Sequence, residues 1–319
     1  MTLPLGLGCM GMSGMYGATD ERESIRTIQT AIDRGITLLD TGDFYGMGHN
    51  ELLVGRAIQG RRERVQLSVK FGALRGPDNG WHGIDTRPVA VKNFAAYSLK
   101  RLGVDVIDIY RPARLDPAVP IEDTVGAIAE LIKAGYVRSI GLSEVGVETI
   151  RRAAAVHPIS DLQIEYGLAS RGVEPRIIPA LRELGIGMTA YGVLSRGLLT
   201  GAKPSGPRDL RAHLPRFAAG NAEKNRPLVD ALARLAAAKG VSAAQLAIAW
   251  VRAKAASQGV TIVPTIGART RKQIGDALAS VDVTLEASEV AALEAAVPAS
   301  QIAGTRYGQE QMAVLDSER

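Results

Sequence analysis

Short unbroken apolar runs alternate along this chain with longer stretches in which apolar residues recur at every third or fourth position. The first pattern predicts buried strands and the second amphipathic helices. Residues 3–7 form an apolar strand that ends in a glycine-rich turn. A helix follows over 21–34, with Asp20 as its N-cap, Ile25, Ile28 and Ile32 on one face and Gly35 as its stop. Residues 36–40 are the second strand. Strands over 65–70, 106–110, 140–142, 162–164 and 186–191 then alternate with helices over 50–58, 87–102, 121–134, 147–156 and 176–184. Helices over 228–239 and 243–254 precede an eighth strand at 261–263, and helices over 272–278 and 288–296 close the pattern. Eight such alternations with short connections predict a parallel (β/α)₈ TIM barrel, one domain over 1–319. Three segments break the short-loop rule: 71–87, 198–226 and the tail 298–319. The first two follow strands and so lie on the C-terminal face, where barrels carry their sites. Each of the three is read either as a pocket wall or as surface decoration.

Composition narrows the classes. A chain of 319 residues, 46% hydrophobic and 22% charged, is globular and long enough for a sizeable core. Lysine and arginine exceed aspartate and glutamate by 38 − 33 = +5, and they are scattered, so no nucleic-acid partner is expected. Cys9 is the sole cysteine, which excludes an internal disulfide and points to a reducing cytoplasm. His49, His82, His157 and His213 show no metal-ligand spacing, and no metal is expected. No apolar run reaches the roughly 18 residues of a membrane span. The first residues lack a basic stretch, so no signal peptide is expected either.

The chemistry changes abruptly after the second strand, in Asp40-Thr-Gly-Asp-Phe-Tyr45. Lys70 ends the adjacent strand. A carboxylate that holds an ammonium, which in turn favours a phenolate, is equipment for protonating an oxygen during carbonyl reduction. The same residues could equally be a structural ion pair beside an ordinary loop aromatic. Gly6-Leu-Gly-Cys-Met-Gly11 matches G-x-G-x-x-G, but the next helix waits until Glu21 and no acid follows at the right distance. It reads as a close-approach turn rather than a dinucleotide fingerprint. Ser143, Gln163 and Tyr191 end three neighbouring strands. They could hold and stack a flat ring bearing a carboxamide, or be no more than the polarity of a barrel end. Gly192 to Gly201 and Thr265 to Asp276 follow the seventh and eighth strands, where barrels usually bind phosphate. Arg196, Arg269, Arg271 and Lys272 supply charge there, as a phosphate site or as a solvated basic face.

Several segments in order resemble the aldo-keto reductase family: Gly6 to Ser13, Leu39 to Gly46, Gly48 to Glu51, Ser68 to Lys70, Gly141 to Glu144, Leu162 to Tyr166 and Tyr191 to Gly201. The resemblance implies a (β/α)₈ barrel that binds NADPH and reduces aldehydes or ketones. It implies Tyr45 as proton donor, with Asp40 and Lys70 tuning it. Ser143 and Gln163 would hold the carboxamide and Tyr191 would stack on the nicotinamide. Gly11, Met12 and Asp40 would also face the cofactor. Gly192, Val193, Leu194, Ser195, Arg196 and Gly197, with Ile266 and Gly267, would carry the phosphates. Arg269, Gln273 and Asp276 fall at the adenosine end, and NADPH over NADH rests on Arg269, Arg271 and Lys272.

Three departures stand out. Ala113 occupies the place of a histidine that ends the fourth strand in the family. Either Arg111 or Arg114 could substitute, and strand alternation favours Arg111. Ala277 replaces an asparagine toward the adenine. An N-terminal hairpin is expected to be absent. The reading is an NADPH-dependent reductase of a small carbonyl substrate. Its rival is an NADPH-binding sensor or partner-binding subunit with little turnover, and a third reading is an unrelated barrel enzyme acting on phosphate-bearing substrates.

Overall fold

The computed structural model describes residues 3–78 and 80–319. Eight parallel strands close a barrel in the order β1 (Gly6–Gly8), β10 (Ile262–Gly267), β9 (Gly187–Tyr191), β8 (Ile159–Glu165), β7 (Val137–Ser143), β6 (Ile107–Pro112), β3 (Gln66–Phe71), β2 (Leu38–Gly42). The short β1 closes the ring, pairing Gly6 with Leu38 on one side and with Thr265 on the other. Helices α1 (Glu21–Asp33), α2 (His49–Ala57), α3 (Pro88–Leu102), α4 (Ile121–Lys133), α5 (Val147–Val156) and α6 (Ile177–Leu184) return the chain between strands. They are joined outside the sheet by α7 (Ala219–Lys239), α8 (Ala243–Gln258), α9 (Arg271–Leu278) and α10 (Ala287–Ala296). This is the (β/α)₈ TIM barrel. The Asp20 carboxylate accepts the Glu23 N–H at 2.8 Å, so α1 begins at the expected cap.

Local differences from the sequence pattern have physical causes. β2 begins at Leu38 because Ile36 is still closing α1, its N–H bonded to the Ala31 carbonyl. Asp40 therefore lies within the strand, opposite Ser68, rather than at its end. α7 begins at Ala219 and passes through Pro227. A proline inside a helix costs about 3 kcal/mol. Tertiary anchoring opposes that cost here: buried Asn225 donates to the Ala303 carbonyl at 3.0 Å and accepts the Ala303 N–H at 2.8 Å. Within segment 71–87, β4 (Ala73–Arg75) pairs antiparallel with β5 (Trp81–Ile84). The tail folds into short turns and α11 (Gln309–Ala313), and it packs back over the C-terminal mouth of the barrel.

Apolar side chains fill the layer between sheet and helices. The barrel interior also carries a charge network. Fully buried Arg111 bonds Asp161 at 3.0 Å, the Ser68 hydroxyl at 3.1 Å and the Leu142 carbonyl at 3.2 Å. Thr189 Oγ1 donates to the same aspartate at 2.5 Å. Gly141 faces this pair, and a Cβ there would stand 2.9 Å from both the guanidinium carbon and an Asp161 oxygen.

Candidate active site

Asp40 points into the barrel from β2 and is saturated. Lys70 Nζ lies 2.5 Å from Oδ2, while the Ser68 hydroxyl and Gln163 Nε2 donate to Oδ1 at 2.9 and 2.7 Å. Register explains the meeting, since Gly42 pairs with Lys70 and Asp40 with Ser68. Ser68 also receives Arg111, so the interior network forms the floor under Asp40. Tyr45 sits in the turn just after β2, its N–H bonded to the Gly42 carbonyl. Asn50 fixes that turn. It is fully buried, accepts from the Thr41 hydroxyl at 2.7 Å and donates to the Cys9 carbonyl and the Ser13 hydroxyl at 2.9 and 2.8 Å. Asn50 lay inside a recognised segment, but nothing in its spacing marked it as a brace.

Tyr45 is buried, with its ring 4.7 Å from Phe44 and Lys70 Nζ 5.0 Å from its ring centroid. Burial, followed by the nearby Asp40 and Tyr16, pushes its hydroxyl well above the usual phenol range, and Arg114 pulls the other way. The Lys70 ammonium is bound to Asp40 and lies over the ring face, and burial lowers its own pKa.

Ser143 ends β7 with a buried hydroxyl oxygen that has no hydrogen-bond partner among the described residues. An orphan hydroxyl costs free energy unless something else completes it. Gln163 is buried nearby on β8, its Nε2 committed to Asp40. Tyr191 ends β9 half-buried, its hydroxyl donating to Glu144 at 2.6 Å and 2.8 Å from the Tyr307 hydroxyl. Gly192, with a φ of +68°, lets the chain turn where a Cβ would meet the Glu165 side chain at 2.8 Å. Val193 and Leu194 then lead into a turn in which Ser195, Arg196 and Gly197 all have positive φ. Arg196 pairs with buried Glu165 at 3.2 Å, and its guanidinium carbon lies 4.6 Å from the Tyr307 ring centroid.

On the other side of the mouth, Met12 is buried in the turn after β1, and Gly11 packs between Tyr16 and Arg269. That turn runs into no α-helix until Glu21, which agrees with rejecting the dinucleotide fingerprint. Ile266 and Gly267 lie on β10 beside Leu7 and Gly8. Gln273 Oε1 accepts the Arg269 N–H at 2.8 Å, and Arg269 reaches the Tyr16 carbonyl at 2.9 Å. Asp276 accepts from Ser242 and Gln245 at the start of α8, at 3.1 and 2.7 Å. Arg271 forms an ion pair with Glu23 of α1 at 3.1 Å. One correction concerns Ala113. It is buried and offers only a backbone N–H, already bonded to the Phe71 carbonyl. Arg111 cannot substitute from the interior of the barrel. Pro112 ends the strand, and it is Arg114 that turns into the mouth, bonding the Tyr307 hydroxyl at 3.1 Å.

Sequence reading allowed the tail as a pocket wall but named none of its residues. Arg306 makes a two-pronged ion pair with buried Glu144, at 2.9 and 2.8 Å, and Tyr307 lies among Arg114, Arg196 and Arg306. Glu144 had stood in a recognised segment without a role. Its φ of 54° is the only local oddity, and a sequence does not display it.

A model of the aldo/keto reductase family matches residues 4–298. The chain belongs to the aldo/keto reductase family. A probable aldo-keto reductase of Glycine max is 42% identical over 311 residues, covering 95% of this chain and 88% of that protein. Among solved structures, the glycerol dehydrogenase of Gluconobacter oxydans superposes with a TM-score of 0.82 at 28% identity, covering 92% of this chain and 91% of that one. An aldo-keto reductase of Klebsiella pneumoniae, solved in complex with NADPH, superposes with a TM-score of 0.73 at 26% identity and covers 93% and 92%. In this aldo/keto reductase the buried phenol, the Asp40–Lys70 pair and the orphan Ser143 hydroxyl all belong to the same barrel mouth. Among the described residues, no helix is long and apolar enough to cross a membrane.

Proposed function

We propose that this aldo/keto reductase reduces small aldehydes or ketones with NADPH, using Tyr45 as the proton donor. The observation that carries the reading is a buried phenol beside the saturated Asp40–Lys70 pair. Ser143 and Gln163 suit a carboxamide, and the unpartnered Ser143 hydroxyl supports that fit. Tyr191 offers a ring beside them. The positive-φ turn at Ser195, Arg196 and Gly197 and the neighbouring Gly267 would meet phosphate oxygens. When bound, the dihydronicotinamide supplies a hydride to the carbonyl carbon.

Tyr45 stays protonated throughout the neutral range, because its pKa is raised. It gives up its proton only to the far more basic oxygen that forms as the carbonyl is reduced. Asp40 holds Lys70 against the ring, so the charge is in place before the phenolate appears. Arg269 and Lys272 support a preference for the 2′-phosphate, and the Klebsiella pneumoniae relative was solved with NADPH.

The test is NADPH oxidation across a panel of aldehydes and ketones, for the wild-type protein and Tyr45→Phe. The variant should lose on the order of 10²–10⁴-fold in kcat and keep its NADP⁺ affinity, since a positioned general acid contributes that much. Equal turnover by both would remove Tyr45 from the mechanism. A second reading, a cofactor-binding subunit with little turnover, draws on Ala113, which offers no side-chain donor. It predicts NADPH binding without turnover of any carbonyl on the panel.

A further inference from the structure

Five cationic side chains crowd the mouth of the barrel. Lys70 answers Asp40, Arg196 and Arg216 answer Glu165, and Arg306 answers Glu144. Arg114 is different: among the described residues it has no carboxylate partner within ion-pair distance. It is half-buried, and two of its N–H groups bond the Ala113 carbonyl at 2.6 Å and the Tyr307 hydroxyl at 3.1 Å. A guanidinium has five donors in a rigid plane, so donors remain for a ligand. The groups around it are phenols, the Glu144 carboxylate and the Lys70 ammonium. Burial disfavours its charge, and the Glu144 carboxylate opposes that. A cation sheltered from solvent and aimed among hydroxyls is arranged for a polar oxygen that is not yet there.

We propose that Arg114 binds the carbonyl oxygen of the substrate, supplying the donor that Ala113 lacks, and that Tyr307 is the positioning residue that holds it. The inference rests on the reductase reading above. In the step it implies, the carbonyl carbon accepts the hydride and the π pair of the C=O bond moves to oxygen. The Tyr45 O–H bond breaks to protonate that oxygen, and the phenolate regains its proton from solvent. Arg114 gives up no proton. It differs from a histidine in that it polarises the carbonyl at every pH at which the protein is folded.

The variants Arg114→Gln, Arg114→Lys and Arg114→Ala test this. Arg114→Gln should lower kcat/KM on the order of 100-fold, the loss typical of one preorganised donor, with NADP⁺ affinity unchanged. Arg114→Lys should fall between, keeping charge without the planar fork. Added guanidinium should restore part of the activity of Arg114→Ala, which a merely structural arginine would not allow. Tyr307→Phe should raise KM with a smaller loss in kcat. Independently of turnover, acetate titrated calorimetrically into the NADP⁺-loaded protein offers oxygens to the same donor, and Arg114→Gln should abolish that binding. Wild-type-like kcat/KM in Arg114→Gln, together with unchanged acetate affinity, would overturn the proposal. If the wild type reduces no carbonyl at all, the reductase reading fails, and the acetate titration still decides whether Arg114 is the oxygen-binding group.

Discussion

Ser143 and Asp43 show how much a single side chain can reveal when its surroundings are incomplete. The Ser143 hydroxyl is buried without a partner, so Ser143→Ala should leave the melting temperature unchanged or slightly raised. The same change should weaken NADP⁺ binding by on the order of 2- to 10-fold, the worth of one neutral hydrogen bond. Fluorescence titration and thermal melts measure both. A lower melting temperature with unaltered affinity would make Ser143 a packing residue. Burial pushes the Asp43 carboxyl up to about 7, against the Gly72 N–H that it accepts. Its folded pKa lies above its unfolded one, so the folded state holds the extra proton between about pH 4 and 7, and stability falls as pH rises through that window. Asp43→Asn should therefore raise the melting temperature at pH 8 and change it little at pH 4.

The tail is the element that carries most of what the sequence concealed. Its residues are polar and its turns short, so it shows no periodicity to read. Its partners are distant: Arg306 meets Glu144 across 162 positions and Tyr307 meets Arg114 across 193. The elements that were legible are those whose signals are local, such as the Asp20 cap of α1 and the apolar runs ending in Asp40 and Lys70. Arg111 and Arg114 mark the boundary between the two cases. Alternation holds along β6 and puts Arg111 inside the barrel, but the strand ends at Pro112 and alternation no longer governs Arg114. Burial alone would raise the pKa of Glu144, but Arg306, with help from Arg114 and Tyr191, outweighs it and holds the group at about 2. The stabilisation from this pair is complete above the ordinary glutamate range and is lost as pH falls from about 4.5 toward 2. Pepsin should thus cut within 298–319 faster at pH 3 than at pH 4.5, relative to an unfolded control. Arg306→Ala, which strands a buried carboxylate, should destabilise the protein by about 3 kcal/mol.

Across the whole molecule, the barrel is held by an apolar shell and by one charged interior. Arg111 and Asp161 join β6 to β8, and through Ser68 they reach Asp40. Arg111→Ala or Asp161→Ala alone should cost about 3–5 kcal/mol, because each leaves a buried charge uncompensated. The pair Arg111→Met with Asp161→Leu should recover most of that loss in a chemical denaturation series. If the double change is as damaging as the two singles summed, the pair does not act as a unit.

The tail's contacts also order events in time. Ring closure itself joins Gly6 to Thr265 across 265 − 6 = 259 positions, whereas Tyr307 and Arg306 follow the last strand and bind Arg114 and Glu144, which share the barrel mouth only once the ring has formed. A refolding chain should regain its far-ultraviolet circular dichroism before it regains cofactor affinity, with the lag set by the tail. Shortening the chain before Thr305 should leave the earlier phase intact and remove the later recovery of cofactor affinity. The mouth of this barrel is the last part to mature, and a population caught midway would be folded by most spectroscopic measures yet unable to hold its ligand.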